Sequence, residues 1–451
     1  MLKYILALLI ACVVKAQTLP VFYTTVQANR IPSLGNIEFI DINGPCMVAM
    51  KIPPSNNIGA FSRMTLYKYD NNTFNDITYV TNDIEMINPS AWYVGDMTGD
   101  GLQDMIVVGE GIDKYPSPGE LVKILVQTPD GHLYDETLDR LPQNLLTAHG
   151  MAVADISRKG SLDILACCLS TGPDRGTRFY INDGNGYFSD SVDRLPVDII
   201  NTQIPSAAFV DVNGDGYPDL VLGSMPYGQN QILINDGTGH FYRDSKYTLP
   251  PKLLGNSVVV KIVAADLNGD GRTDLLLSCT SGTSTNPGGQ TIMGYQQAAL
   301  QVLIQQPDGT FIDKTADSGI AFDSVNDLWV TRIQVTDLNN DGIPDILLNV
   351  AGPNDWPGHA KVLLGTGNGR YVDESCLLSL TGYVYEAVDL NEDGCMDMVM
   401  ANSLVTYTQI QTPTLNRNRL KMQPIHMHPL IQENITITSN KNLNKSFNNI
   451  K

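Results

Sequence analysis

The chain has 451 residues and a formal charge of −19. The first 16 residues carry +2 and the segment from Thr412 onward +5, which leaves −26 on the body between them. Such an anionic body excludes nucleic acid and anionic membrane surfaces as expected partners, and the absence of any CxxC pair removes support for zinc or thioredoxin-type chemistry.

The chain opens with a short basic start ending at Lys3, followed by an apolar run of 11 residues from Tyr4 to Val14. Val14 and Ala16 are small residues at −3 and −1 before a cut ahead of Gln17, so residues 1–16 read as a secretory signal peptide. The run is too short for a span of ~20 residues, no later stretch reaches that length, and the mature protein is expected to be soluble and extracellular. Cys12 leaves with the leader, and six cysteines remain: Cys46, Cys167, Cys168, Cys279, Cys376 and Cys395. An even count permits disulfides in an oxidising compartment, with connectivity open. Sequons at Asn71, Asn434 and Asn444 would matter only in a eukaryotic secretory pathway.

A strand-like run, Val21 to Val26, comes next, and then one pattern recurs. DMTGDGLQD (96–104), DVNGDGYPD (211–219), DLNGDGRTD (266–274), DLNNDGIPD (337–345) and DLNEDGCMD (389–397) are full copies. DISRKGSLD (155–163) is a worn copy and DING (41–44) a vestige. Successive copies are 55, 59, 56, 55, 71 and 52 residues apart, the signature of a repeat architecture. Each Asp-rich loop is followed by a short apolar run, then by a second β-prone run with a glycine turn, as in ILINDGTGHF (232–241). A unit therefore reads as four antiparallel strands, A to D, with the Asp-rich loop between A and B. Seven such units predict an all-β, seven-bladed β-propeller of four-stranded blades over residues 17–423. An open solenoid is the alternative. From Pro424 to Lys451 the chain is Asn-rich and basic, with Phe447 its one aromatic residue, and is expected to stay unfolded.

The loops have the chemistry of a calcium site. Calcium takes about six to eight oxygen ligands, and alternating oxygen side chains on a tight loop supply them. Side chains at positions 1, 3, 5 and 9 and the carbonyl at position 7 give five candidate sets. They are Asp96, Thr98, Asp100, Leu102 and Asp104; Asp211, Asn213, Asp215, Tyr217 and Asp219; Asp266, Asn268, Asp270, Arg272 and Asp274. The last two are Asp337, Asn339, Asp341, Ile343 and Asp345, and Asp389, Asn391, Asp393, Cys395 and Asp397. An EF-hand is excluded, because position 12 is Val107, Leu222, Leu277, Leu348 or Met400 rather than glutamate. About five structural Ca²⁺ are expected, which would offset roughly ten of the body's negative charges. In the worn loop Lys159 stands at position 5, where its ammonium is expected to pair with Asp155 and Asp163 and replace the ion.

These motifs, Asp-x-Asn-x-Asp-Gly-x-x-Asp loop, apolar strand and Gly-x-Phe turn, resemble FG-GAP/VCBS repeats. Those repeats build the seven-bladed head of integrin α chains and free-standing fungal lectin propellers, and the resemblance runs from about Ile37 to Met422. It implies adhesion or recognition, without naming a ligand.

Little in the sequence suggests catalysis. His132 and His240 occupy the same glycine-turn position, His149 and His359 have no evident partners, and no nucleophile elbow, HExxH or phosphate loop is present. The meander puts the A–B and C–D turns on one face and the B–C and D–A loops on the other. The longest B–C segment, Cys279 to Gln297, is rich in Ser, Thr and Gly. Tyr115, Tyr227, Tyr295 and Trp356 lie in B–C segments, where they could stack on sugars or anchor a protein. The expected function is extracellular recognition of a glycan or protein surface. The alternative is a polysaccharide-active propeller enzyme, a lyase or hydrolase.

Overall fold

The computed structural model describes residues 21–27, 34–51, 61–70, 73–81, 84–111, 119–171, 175–285, 291–322, 327–352, 355–375, 384–390, 394, 396–400 and 403–410. The leader, the tail, the three sequon asparagines, Cys376, Cys395, Tyr115, Asn391 and Asp393 lie outside the described residues. The strands form six four-stranded antiparallel sheets and one five-stranded sheet. The five-stranded sheet departs from the uniform four-strand expectation. Its extra strand, Glu85–Met86, pairs with Ser62–Asp70 where the chain passes to the next blade.

The innermost strands are Leu34–Asp41, Pro89–Gly95, Ala148–Ala154, Ala207–Val210, Ser257–Ala265, Trp329–Thr336 and Val384–Val388. Each contacts the next, and the last contacts the first. The ring is a β-propeller. Strand B of each blade is buried on both faces, as Asp104–Gly109 and Asp163–Cys168 show, because a blade is sandwiched between its neighbours. Cores form between blades accordingly: Ile106, Ile124 and Ile164 share one cluster, and Leu165, Phe179, Leu220 and Phe241 another.

Ring closure uses the N-terminus. Val21–Gln27 runs antiparallel to Ser403–Ile410, from Val21↔Ile410 to Gln27↔Leu404, and forms the outer strand of the blade carrying Asp389. The last blade thus combines both ends of the fold, and an edge that would otherwise offer unpaired backbone groups is covered.

Side chains staple successive blades at both faces. Ser90 Oγ donates to Ala148 O (2.6 Å), Ser206 Oγ to Val259 O (2.6 Å) and Thr280 Oγ1 to Leu328 O (3.0 Å). On the Asp-loop face, Asn182 Nδ2 donates to Met97 O (2.8 Å), Asn235 Nδ2 to Ile156 O (2.8 Å) and Gln305 Nε2 to Val212 O (3.1 Å). The A–B and C–D turns therefore share a face. At Gly309, with φ +83°, an added Cβ would meet Val212 O at 2.3 Å, so only glycine permits that turn to approach its neighbour's loop.

Cys46, Cys167, Cys168 and Cys279 carry free, buried thiols. No helix among the described residues is long and apolar enough to cross a membrane.

Candidate functional site

The Asp-rich loops share one hydrogen-bond plan. The position-nine carboxylate is a buckle. Asp219 is fully buried, accepting from Val212 N (2.9 Å) and Asn213 N (3.3 Å) on Oδ2 and from Asn235 N (2.8 Å) on Oδ1. Asp104, Asp274 and Asp345 repeat this toward the second loop residue and the end of strand C. The position-one carboxylate closes the turn, since Asp96, Asp211, Asp266, Asp337 and Asp389 each accept from the position-six glycine N–H at 2.8 Å.

Position five behaves differently. Asp100, Asp215, Asp270 and Asp341 each accept from the position-seven N–H on one oxygen, at 2.8–3.0 Å. The other oxygen of Asp215 and Asp341 takes the amide of Asn213 or Asn339 (2.9 and 3.1 Å). In the third full loop the Arg272 guanidinium also sits on Asp270.

Burial pushes the Asp219, Asp274 and Asp345 carboxyls up to about 7, and the position-one and position-five carboxylates of the same loops add to that rise. The three acids of a loop therefore converge closely enough to repel one another. A hard cation would relieve that repulsion, and the oxygen-only donor set suits one. The guanidinium on Asp270 shows that positive charge is already drawn there. Among the described residues no three His, Cys, Asp or Glu side chains stand as a ready-made metal cluster, because positions one and nine are turned toward backbone N–H groups.

The worn loop keeps the plan without the position-five acid. Asp155 accepts from Lys159 N and Gly160 N, and Asp163 from Asn182 N. The expected ion pairs from Lys159 to Asp155 and Asp163 are not formed: that side chain is exposed, and only its backbone N–H meets Asp155. Arg194, not Lys159, is the cation that lowers Asp163, whose carboxyl burial raises to about 6.

On the opposite face, Tyr227 is 83% exposed and holds φ +66°. It follows Pro226 in a turn closed by Gly228 N to Met225 O (3.1 Å). Ser224 and Asn230 lock the turn's base, and the buried Lys252 ammonium donates to Met225 O (3.1 Å) and Ser257 O (2.7 Å). Tyr295 and Trp356 lie on strands, Thr291–Gln305 and Asp355–Gly365, with their side chains outside the described residues.

The segment Cys279 to Gln297 is not an irregular loop. Strands Asp274–Thr285 and Thr291–Gln305 extend it as a hairpin, paired from Leu275↔Leu303 to Thr285↔Thr291. Its threonines and Ile292 are β-branched residues, which favour strand over coil.

Two histidines that looked isolated have partners. His149 Nδ1 lies 3.0 Å from Pro205 O, so it carries the proton, and Nε2 is 3.7 Å from Glu110 Oε1. His359 Nε2 is 3.4 Å from the buried Asp327, which Lys361 Nζ also meets at 2.7 Å. His132 and His240 are turn residues, held against Asp130 and Thr238 respectively.

Sequence reasoning missed a charged group on the inner strands. Arg332 Nη2 pairs with Glu386 at 3.0 Å and Nη1 donates to Ile37 O (3.3 Å), joining three blades at the closing seam. Burial raises the Glu38 and Glu386 carboxyls and lowers the Lys261 ammonium. Lys261 nonetheless keeps solvent contact. A charge three residues (Glu38, Glu386) or five residues (Lys261, Arg332) before the first Asp of the loop was the available signal.

Segments 160–222, 211–277 and 337–400 match the family model of the FG-GAP-like repeat. A search of curated proteins finds no match to the chain.

Proposed function

We propose that this propeller of FG-GAP-like repeats is an extracellular recognition protein, calcium-stabilised on one face and binding a glycan or protein surface with the other. Tyr227 carries the reading. A bulky side chain in the left-handed region costs roughly 1–2 kcal/mol, and the fold spends buried Lys252 and Asn230 on holding that turn. Glycine would serve the turn better, so the ring is kept for what it touches. An aromatic face at a rigid turn stacks on sugars or anchors a partner with little ordering cost.

At the other face, the acids at positions one, five and nine, with the position-three oxygen and the position-seven carbonyl, would hold Ca²⁺. The bound ion would supply positive charge among carboxylates that repel one another. The chain's own backbone N–H groups already shape each loop, so the ion is asked only to neutralise and stiffen it.

Glycan and cell-surface protein arrays probed with the native protein and Tyr227→Gly, with and without calcium, test this reading. The variant should melt at or above the native temperature while its affinity for any ligand found falls roughly tenfold or more, as for an anchor residue. Equal binding by both proteins would refute the assignment of Tyr227.

A further inference from the structure

The outer strand of each blade begins after the glycine turn, and three blades open it with phenylalanine: Phe188, Phe241 and Phe311. Each ring packs in a core with the second residue of the preceding blade's loop, Met97, Ile156 and Val212 respectively. The blade carrying Asp337 has Tyr371 instead. Its ring takes the same place, in a core with Ala265 and Leu267, the two neighbours of Asp266, and with Ile346, next to Asp345.

The hydroxyl is what differs. Tyr371 is only 4% exposed, and its OH has no hydrogen-bond partner among the described residues. A buried hydroxyl left unmade is costly, and the sibling blades show that phenylalanine fits the position. The charges that act on it are carboxylates. Beyond burial, Asp274, Asp345 and Asp266 are the charges that resist ionisation of this phenol, and two of the three belong to the loop Leu267 sits in.

We propose that the Tyr371 hydroxyl anchors a water ligand of the cation held by the loop that begins at Asp266. This rests on the calcium reading above. The loop offers five protein oxygens, whereas calcium takes about six to eight, so water completes the set. A hydroxyl can donate to a carboxylate or accept from an ion-bound water, and buried beside Leu267 it stands where the loop's own atoms provide no partner. Without the ion the hydroxyl is a defect; with it, the hydroxyl is a bond.

That reversal of sign is the test. Thermal melts of the native protein and Tyr371→Phe are compared in chelator and across a calcium titration. In chelator the variant should melt at or above the native temperature. In saturating calcium it should melt below it, and the calcium affinity of that one loop should fall roughly five- to tenfold, the effect of one hydrogen bond to a charged site. In a second background, Asp270→Ala, which disables that loop's exposed carboxylate, Tyr371→Phe should act alike with and without calcium. A shift of the same sign and size in both conditions in the native background would overturn the Tyr371 assignment while leaving calcium binding intact. A native protein whose melting ignores calcium would overturn the calcium reading and this inference together.

Discussion

Replacing Asp219 by alanine should unfold more of the protein than replacing Asp215, even with calcium chelated. Asp219, on strand B, is fully buried and satisfies Val212 N and Asn213 N of the A–B loop and Asn235 N at the end of strand C. Two of those bonds, at 2.9 and 2.8 Å, are short contacts to a carboxylate. Each hydrogen bond to a charged group contributes about 1.5–3 kcal/mol, and its loss leaves a buried N–H unmatched. Against this, burial of the carboxylate is itself unfavourable, as its ionisation near 7 shows. The balance is a net loss of about 3 kcal/mol for Asp219→Ala. Asp215 is exposed and bonds only within its own loop, to Tyr217 N and Asn213 Nδ2, so Asp215→Ala should stay within about 1 kcal/mol in chelator. Urea unfolding followed by tryptophan fluorescence measures both. If the two variants have the same midpoint in chelator, position nine is not a buckle and the division of roles within the loop is wrong.

Glu120 gives a pH dependence. Burial moves its carboxyl from the ordinary 4.5 to about 7, although it accepts Ile87 N at 2.6 Å. A raised carboxyl favours the protonated form in the fold, so stability falls as pH rises from about 4.5 to 7 and is level above that. Glu120→Gln should therefore gain roughly 1 kcal/mol at pH 8, discounted for the solvent the group retains, and nothing at pH 4; a gain at both pH values would refute the cause. Deleting Thr18 to Gln27 removes the outer strand opposite Ser403–Ile410 and should cost roughly 3–5 kcal/mol in urea unfolding, from a seven-residue ladder. An unchanged midpoint would mean the last blade closes without it.

The blade plan was legible because it is local. Asp-Gly turns and apolar strand B runs have fixed offsets, so the strands and the Asp-loop face followed from spacing alone. The N-terminal clasp left a fainter trace, a strand-like run at Val21 to Val26 ahead of the first repeat, whose partner Ser403–Ile410 lies at the far end of the chain. What spacing could not show was where each side chain spends its hydrogen bonds. Asp at positions one, five and nine reads as one repeated letter, yet one closes a turn, one faces solvent and one buckles two strands. The hairpin from Asp274 to Gln305 was masked by Ser, Thr and Gly composition, which suggests coil until strand pairing supplies partners. The partners of His149 and His359 come from residues 56 and 32 positions away, beyond any local pattern.

The worn loop explains why the fold and the site can be separated at all. Asp155 and Asp163 keep their bonds to Gly160 N and Asn182 N although Lys159 replaces the position-five acid. The residues that shape the loop are thus retained where the residue that offers an exposed carboxylate is gone. The turn therefore does not depend on the position-five acid, whereas the proposed cation would. The exposed acids Asp100, Asp215, Asp270 and Asp341 are then the positions at which substitution should tune ion binding with little effect on the cation-free fold. The same separation holds on the opposite face, where Lys252 and Asn230 build the turn and the Tyr227 ring is left exposed.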